Sequence, residues 1–507
     1  MANGGQKRIR VTDKISEKNI SAWEPAQPVI ITAGTGVGKS YFIKNVLYRY
    51  ARNNNQKILM LIHRKLCVEQ FRMEIEEDGK NDVIEIMTYQ KLEKSEMYEI
   101  DLKLNRYKYI VCDEFHYFIS DAGFNNTTDI SFKKIIGTSD AIKIFMSATG
   151  ENVEGYIRNT AMLKSVNYRI PFDWSFIASL NFYHNDESLS EFARAVIEKG
   201  EKGIFFIQQA AKAYKLFQEF ESYAIFNCST QNEKHYKYVQ KDVINRMLQK
   251  QQFEKNILVT TSCLDAGVNI VDSLVRFIFI DIKDVGSLIQ CMGRKRIQSP
   301  EDTIHVFIKV INNQQLGGLE TNAKKQLEMA DFLKSHTTEE WLKKYPRQID
   351  RTQIIYDEMI NDGNTETCTK KVNDLMYQKK KLDIEEIHYM KNLGDYGYCR
   401  YLARKLNRYN PDTESYDYAV ISRNYGLENY LATHVGLAML QRKDRKELIN
   451  IMDVRRDGHL KNSLDILNAA LKEDQLPYCI EEFATTRMID GKKKKFKSAW
   501  RIVPHNW

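Results

Sequence analysis

Residues 33–40 read Ala-Gly-Thr-Gly-Val-Gly-Lys-Ser and lie between the β-branched run Val29–Thr32 and a helical pattern over Ser40–Ala51. No other segment constrains the fold as strongly. Small residues let consecutive backbone N–H groups wrap an anion, and the helix that follows turns its positive N-terminal end toward it. The pattern is G-x-x-x-x-G-K-[ST], with Ala33 at the first glycine. Gly34, Thr35, Gly36, Val37 and Gly38 would form the cradle. Lys39 would reach the β- and γ-phosphates of a nucleotide, and the Ser40 hydroxyl would ligate Mg²⁺. Such a loop needs a strand before it and a helix behind it, so the chain must open as an α/β domain.

Composition sets the scale. The chain has 507 residues, 43% of them hydrophobic, which is material for about three domains. The formal charge of +8 permits a nucleic-acid partner without demanding one. No apolar run approaches the ~18–20 residues that cross a bilayer, and no apolar segment follows the polar start, so neither a membrane partner nor a secretory route is expected. The eight cysteines are scattered without a C-x-x-C pair. They read as reduced thiols of a cytoplasmic protein, with no zinc site.

Strand-like runs alternate with helical patterns through the first three hundred residues, for example Lys57–Ile62, Val83–Met87, Tyr107–Cys112 and Ala141–Met146. The alternation restarts after Pro171, with Gly203–Ile207, Asn256–Thr260, Val275–Ile280 and Thr303–Ile308. Apolar runs separated by helices indicate mostly parallel sheets covered on both faces. From about Asn312 long polar helical patterns take over, with a polar linker at Asn361–Thr369 and only Phe496–Val503 strand-like. The expected fold is α/β, with domains at 1–165 and 166–311 and a mainly α-helical C-terminal domain at 312–507.

Asp113 and Glu114 follow the buried run Tyr107–Cys112. A carboxylate at the C-terminal end of such a strand points into the crevice where open α/β sheets bind ligands. Asp113 is placed to hold Mg²⁺ and Glu114 to orient an attacking water. Ser147 and Thr149 end the run Ala141–Met146 and would point into the same crevice.

A-x-T-G-x-G-K-S followed by Asp113-Glu114-Phe115-His116 resembles a superfamily 2 helicase or translocase of the DExH type, bacterial or phage-like. Further motifs follow in order: Ile62–Leu66, Met87–Gln90, Ser147-Ala148-Thr149, Phe205–Gln208, Thr260–Ile270 and Gln290–Arg294. The resemblance covers residues 25 to about 310. It implies two tandem RecA-like P-loop domains with ATP and Mg²⁺ held between them. It assigns His116, Ser147 and Thr149 to coupling, Gly267 and Asn269 to the nucleotide, and Gln290 and Arg294 to the γ-phosphate. The second family arginine falls on Ile297, so Arg296 is the candidate to replace it. Arg64, Thr88, Gln208 and Thr261 are the implied contacts to a nucleic-acid backbone. Trp23 is a candidate to stack on the base, with a packed position the competing reading.

Beyond the motifs, Arg400, Arg404 and Arg408 are four apart, with Tyr401 and Tyr409 beside them. On one helix they would form a cationic face for phosphates and bases. Lys492–Lys495 and Lys497 read as a basic hairpin-like end, and Lys379–Lys381 as surface. The expected activity is an ATP-dependent helicase or translocase on nucleic acid, single-stranded DNA favoured over RNA, with a protein partner for the C-terminal domain in view. An ATP-driven clamp or switch without processive unwinding is the alternative.

Overall fold

The computed structural model describes residues 9–34, 36–63, 65–120, 127–159, 161–262, 269–346, 354–361, 366–421, 427–456, 459–473, 476–489 and 492–505. Its first sheet contains β1 (Val29–Ala33), β2 (Ile58–Ile62), β3 (Ile84–Thr88), β4 (Tyr109–Asp113), β5 (Ile142–Ser147) and β6 (Val166–Ile170). Their order is β3-β2-β4-β5-β1-β6, and every pairing is parallel. Period-two alternation explains the doubly apolar runs. Val29, Ile31, Met60, Val111 and Ile144 pack on one face. Ile30, Leu59, Leu61, Ile110 and Phe145 pack on the other. Because β6 pairs with β1, the first sheet ends at Ile170 and not at the expected boundary of 165.

The second sheet contains β7 (Ile177–Tyr183), β8 (Lys202–Ile207), β9 (Ala224–Asn227), β10 (Ile257–Thr260), β11 (Val275–Asp281), β12 (Ile304–Lys309) and β13 (Ala419–Ile421). It is again parallel throughout, in the order β13-β7-β12-β11-β8-β10-β9. Ile204, Phe206, Leu258 and Ile278 face one core. Phe205, Ile207, Val259 and Phe279 face another. The chain therefore folds as two tandem parallel-sheet α/β domains of RecA-like form.

The C-terminal region contains the expected helices, and the described residues add four two-stranded antiparallel pairs. One of them, Ile355–Asn361 with Glu366–Val372, occupies the segment expected as a polar linker. The boundary at 312 is also not a clean cut. β13 extends the second sheet from far down the chain. Helix Asp374–Asn392 places Leu375 in a core of the first domain and Ile387 and Met390 in a core of the second. Residues 427–502 form a core of their own around Leu431, Leu448, Leu467, Trp500 and Ile502. No helix of the described residues is long and apolar enough to cross a membrane.

Candidate active site

The loop between β1 and the helix that starts at Lys39 stands at the C-terminal edge of the first sheet. Gly38 has φ +89°, a left-handed conformation that favours glycine. Gly34 is needed for a second reason. A Cβ there would lie 3.1 Å from the Phe172 ring. Buried Lys39 donates to the main-chain oxygens of Ala33 and Gly34 at 2.9 and 3.4 Å, and its ammonium lies 3.8 Å from Glu114. Gly36, Val37 and Ser40 complete the described part of the loop, with Ser40 exposed. Thr35, Arg64 and Gly267 lie outside the described residues.

Glu114 itself takes φ +48°, a left-handed conformation that costs a non-glycine residue of order 1 kcal/mol. It turns the chain sharply at the end of β4, and its carboxylate meets Lys39, Ser147 Oγ at 3.4 Å and His116 Nδ1 at 3.3 Å. Burial works to raise its pKa. Lys39, the His116 hydrogen bond and Arg294 outweigh burial and hold the carboxyl well below the usual range. Burial, reinforced by the Glu114 charge, pushes neighbouring Asp113 up to about 7. Asp113 Oδ1 is sealed from solvent without a hydrogen-bond partner. Two adjacent carboxyls are thus driven apart, one ionised and one still awaiting a cation.

That orphaned oxygen suits a divalent ion. Among the described residues no group of three His, Cys, Asp or Glu could hold one unaided, so the ion would complete its shell with Ser40, water and phosphate. An Mg²⁺ ion held there would displace the Asp113 proton, so its affinity would rise with pH through about 7. Between pH 6 and pH 8 calorimetry should show about tenfold tighter Mg²⁺ binding with proton release, and Asp113→Asn should remove the dependence.

The second domain reaches this site through one segment. Helix Val285–Met292 ends at Gly293, Arg294 lies in the turn that follows, and Lys295 bridges to Ile270. Gln290 uses both amide hydrogens across the interface: Nε2 lies 2.8 Å from His116 Nε2 and donates to Thr149 Oγ1 at 3.0 Å. A donor at Nε2 makes that ring nitrogen the acceptor, which leaves the hydrogen on Nδ1, 2.9 Å from Ser147 Oγ. Gln290, His116, Ser147 and Glu114 therefore form one hydrogen-bonded path from the second domain to the acid of the first. Gly150 supports it from behind, since a Cβ there would fall 1.9 Å from the Phe115 ring.

Arg294 closes the turn after the helix, and Lys295 and Arg296 follow it along Ile270. Lys295 is buried and pairs with Asp302 at 2.5 and 2.7 Å. Arg294 is held by the Gln290 carbonyl at 3.1 Å, and its charge is felt by Glu114. Arg296 is tethered to Asn269 Oδ1 at 2.7 Å. It lines a cavity of about 240 Å³ together with Gly34, Gly36, Val37, Gln290 and Gly293.

The remaining candidates divide. Thr88 stands at the C-terminal end of β3, on the same sheet edge as the loop, and Gln208 and Thr261 follow the C-terminal ends of β8 and β10 in the second sheet. Thr88 also caps the next helix by accepting from Lys91 N at 3.1 Å. Arg400, Arg404 and Arg408 do not form the expected face. The helix spans Gly397–Lys405, so Arg408 is beyond it. Arg400 donates to Leu393 O at 2.6 Å. Arg404 is held by the Tyr416 and Tyr389 hydroxyls at 3.0 and 2.9 Å and stacks over Tyr409, and Arg408 pairs with Asp417 at 2.6 Å. All three bind the chain to itself, because guanidinium groups among tyrosines find internal partners as readily as phosphates. Trp23 is buried against Phe42, with Nε1 donating to Tyr168, and is core.

Sequence reading also missed a link. Lys379, expected at the surface, lies between Asp383 at 2.9 Å and Asp284 at 3.6 Å. Burial opposes its charge, but the two carboxylates outweigh it and raise the pKa. Only the i, i+4 spacing to Asp383 signalled this in sequence. The partner Asp284 is brought in by the fold, and both line a second cavity beside His116 and Thr149.

Residues 7–152 match the family model described as Type III restriction enzyme, res subunit. Over those residues the chain is similar to a family of superfamily 2 helicase type. No curated protein matches the sequence. Among solved structures the chain is similar to a variant of S. cerevisiae Dbp5 bound to RNA and ADP BeF3, at 16% identity over 56% of this chain and 79% of that one, with a TM-score of 0.42. It is also similar to the DEAD-box helicase Mss116 bound to ssRNA and UDP-BeF, at 14% identity over 63% of this chain and 71% of that one, with a TM-score of 0.45. The resemblance rests on the family model over residues 7–152, and these distant likenesses carry no argument.

Proposed function

We propose that this chain hydrolyses ATP with Mg²⁺ between its two RecA-like domains and uses the cycle to move along or unwind nucleic acid. The observation that carries the reading is the hydrogen-bonded path from Gln290 through His116 and Ser147 to Glu114. A path of this kind lets the second domain sense, and be moved by, the state of an acid in the first.

The loop amides and Lys39 bind the β- and γ-phosphates. Asp113 and Ser40 are the residues that would hold Mg²⁺, whose charge would offset that of the phosphates. Ionised Glu114 accepts a hydrogen bond from the attacking water and draws its proton. Arg294 and Arg296 approach from the second domain and stabilise charge that develops on the transferred group. Thr88, Gln208 and Thr261, at C-terminal strand ends of the two sheets, are proposed to hold the nucleic-acid backbone, so a change at the acid is passed to the grip.

The test is ATP turnover with single-stranded DNA, duplex DNA, single-stranded RNA and no nucleic acid. Stimulation of several-fold by at least one of them is expected, and a rate indifferent to all would overturn the coupling. A parallel strand-displacement assay distinguishes a motor from an ATP-driven clamp, which would hydrolyse without displacing.

A further inference from the structure

The chain ends in a long antiparallel ribbon, β14 (Tyr478–Ile489) with β15 (Lys492–Pro504). Its base is anchored, with Ile480, Trp500 and Ile502 in the core of the last domain. A register shift between Phe483 and Thr485 marks where it leaves that core. A bulge there bends and twists the strands. Past it, Thr486, Arg487 and Met488 are exposed, and so are Lys492–Lys495 opposite them. Successive residues face opposite sides of a strand, so exposure of consecutive residues means that both faces are in solvent. The pairs from Thr486–Lys495 to Ile489–Lys492 span roughly 10 Å.

The charge on this projection is one-sided. Residues 485–497 contain six cations, Arg487, Lys492–Lys495 and Lys497, against one acid, Asp490. Arg487 and Lys494 stand directly opposite each other in the register. Like charges so placed destabilise a hairpin, and in the register no carboxylate stands opposite Arg487 or Lys492–Lys495. Folding alone gives no reason for this arrangement, whereas a polyanion removes its cost.

We infer that the ribbon is a docking element for duplex DNA that enters the major groove. Its cations lie on both faces: Arg487, Lys492 and Lys494 on one, Lys493 and Lys495 on the other. A partner that surrounds the ribbon with phosphate meets both faces, as the two walls of a groove do. An acidic protein surface would meet only one. Size points the same way. The major groove of B-form DNA, ~12 Å wide and ~8.5 Å deep, admits a two-stranded ribbon. The narrow, deep major groove of A-form RNA does not. The inference deepens the motor reading and rests on it for its purpose, and it names duplex DNA as the substrate on which the motor acts.

The experiment compares the full chain with a variant carrying Arg487→Gln, Lys493→Gln, Lys494→Gln and Lys495→Gln. Each binds a labelled DNA duplex, an RNA duplex of the same sequence and a DNA single strand at several salt concentrations. The unaltered chain should bind duplex DNA about tenfold or more tighter than duplex RNA. In the variant the DNA-duplex salt slope should fall by about 0.9 for each phosphate that is no longer neutralised. A second variant with arginine at the three lysine positions should keep duplex binding and show that charge is what matters. Equal affinity for the two duplexes, or an unchanged slope in the glutamine variant, would overturn the ribbon's role. ATP turnover without nucleic acid is measured on the same preparations, because the ribbon is anchored in the core of the last domain and the phosphate loop belongs to the first. A chain that binds duplex DNA as described but does not turn over ATP refutes the motor reading and leaves the ribbon standing. A chain that turns over ATP but binds both duplexes alike does the reverse.

Discussion

Glu114→Gln lowers ATP turnover by about 10³-fold while ATP·Mg²⁺ still binds, the scale expected when a positioned base is lost. The amide keeps the length and shape of the side chain and can retain the contact with Ser147. It cannot draw a proton from water. It also removes a negative charge that Lys39, His116 and Arg294 now hold in ionised form. Lys39 and Arg294 are then freer to meet the γ-phosphate, so nucleotide affinity should rise or stay level. The loss therefore falls on turnover and not on binding. Single-turnover hydrolysis with radiolabelled ATP, beside calorimetric ATP binding, separates the two. Normal turnover would assign the acid pair another role.

Arg294→Ala should cost about 10³-fold or more in hydrolysis, the range of arginine fingers, with ATP binding largely kept. Its guanidinium is buried beside Gln290 and acts on Glu114 from the opposite domain. Arg296→Ala is expected to cost a similar factor. It follows Arg294 by two residues and lines the cavity beside the phosphate loop. Asn269→Ala should give an intermediate loss, since it releases Arg296 without removing it. A full rate for Arg296→Ala would leave Arg294 as a single finger. Lys295→Ala is the contrast, because it breaks the buried pair with Asp302 and should lower thermal stability.

Legibility in the sequence followed the range of the interaction. AGTGVGKS, the acids after Cys112 and the apolar runs are local patterns, and local chemistry dictates them. A phosphate cradle needs small residues next to a helix start, and a strand buried on both faces needs an unbroken apolar run. From these alone came the two parallel-sheet domains, the loop, and the acids Asp113 and Glu114 at a strand end. Ser147, Thr149 and Gln290 could be named, but not joined. Their hydrogen bonds to His116 and Glu114 cross sequence separations that only folding closes.

The errors share that cause. The four-residue spacing of Arg400, Arg404 and Arg408 was real, but a helix face is cationic to solvent only when tertiary neighbours leave it so. Here the tyrosines and Asp417 occupy it. Lys379 looked like surface because its burial depends on Asp284, ninety-five residues earlier by 379 − 284. The Lys492–Lys495 run was readable as charge, but its projection into solvent on both faces of a ribbon was not. Sequence thus determined which chemistry each segment can perform, because residue type and local spacing are intrinsic to it. Only the tertiary structure decided which cations remain free for a partner and which acid the second domain can reach, because both depend on groups that are distant in the chain and adjacent in space.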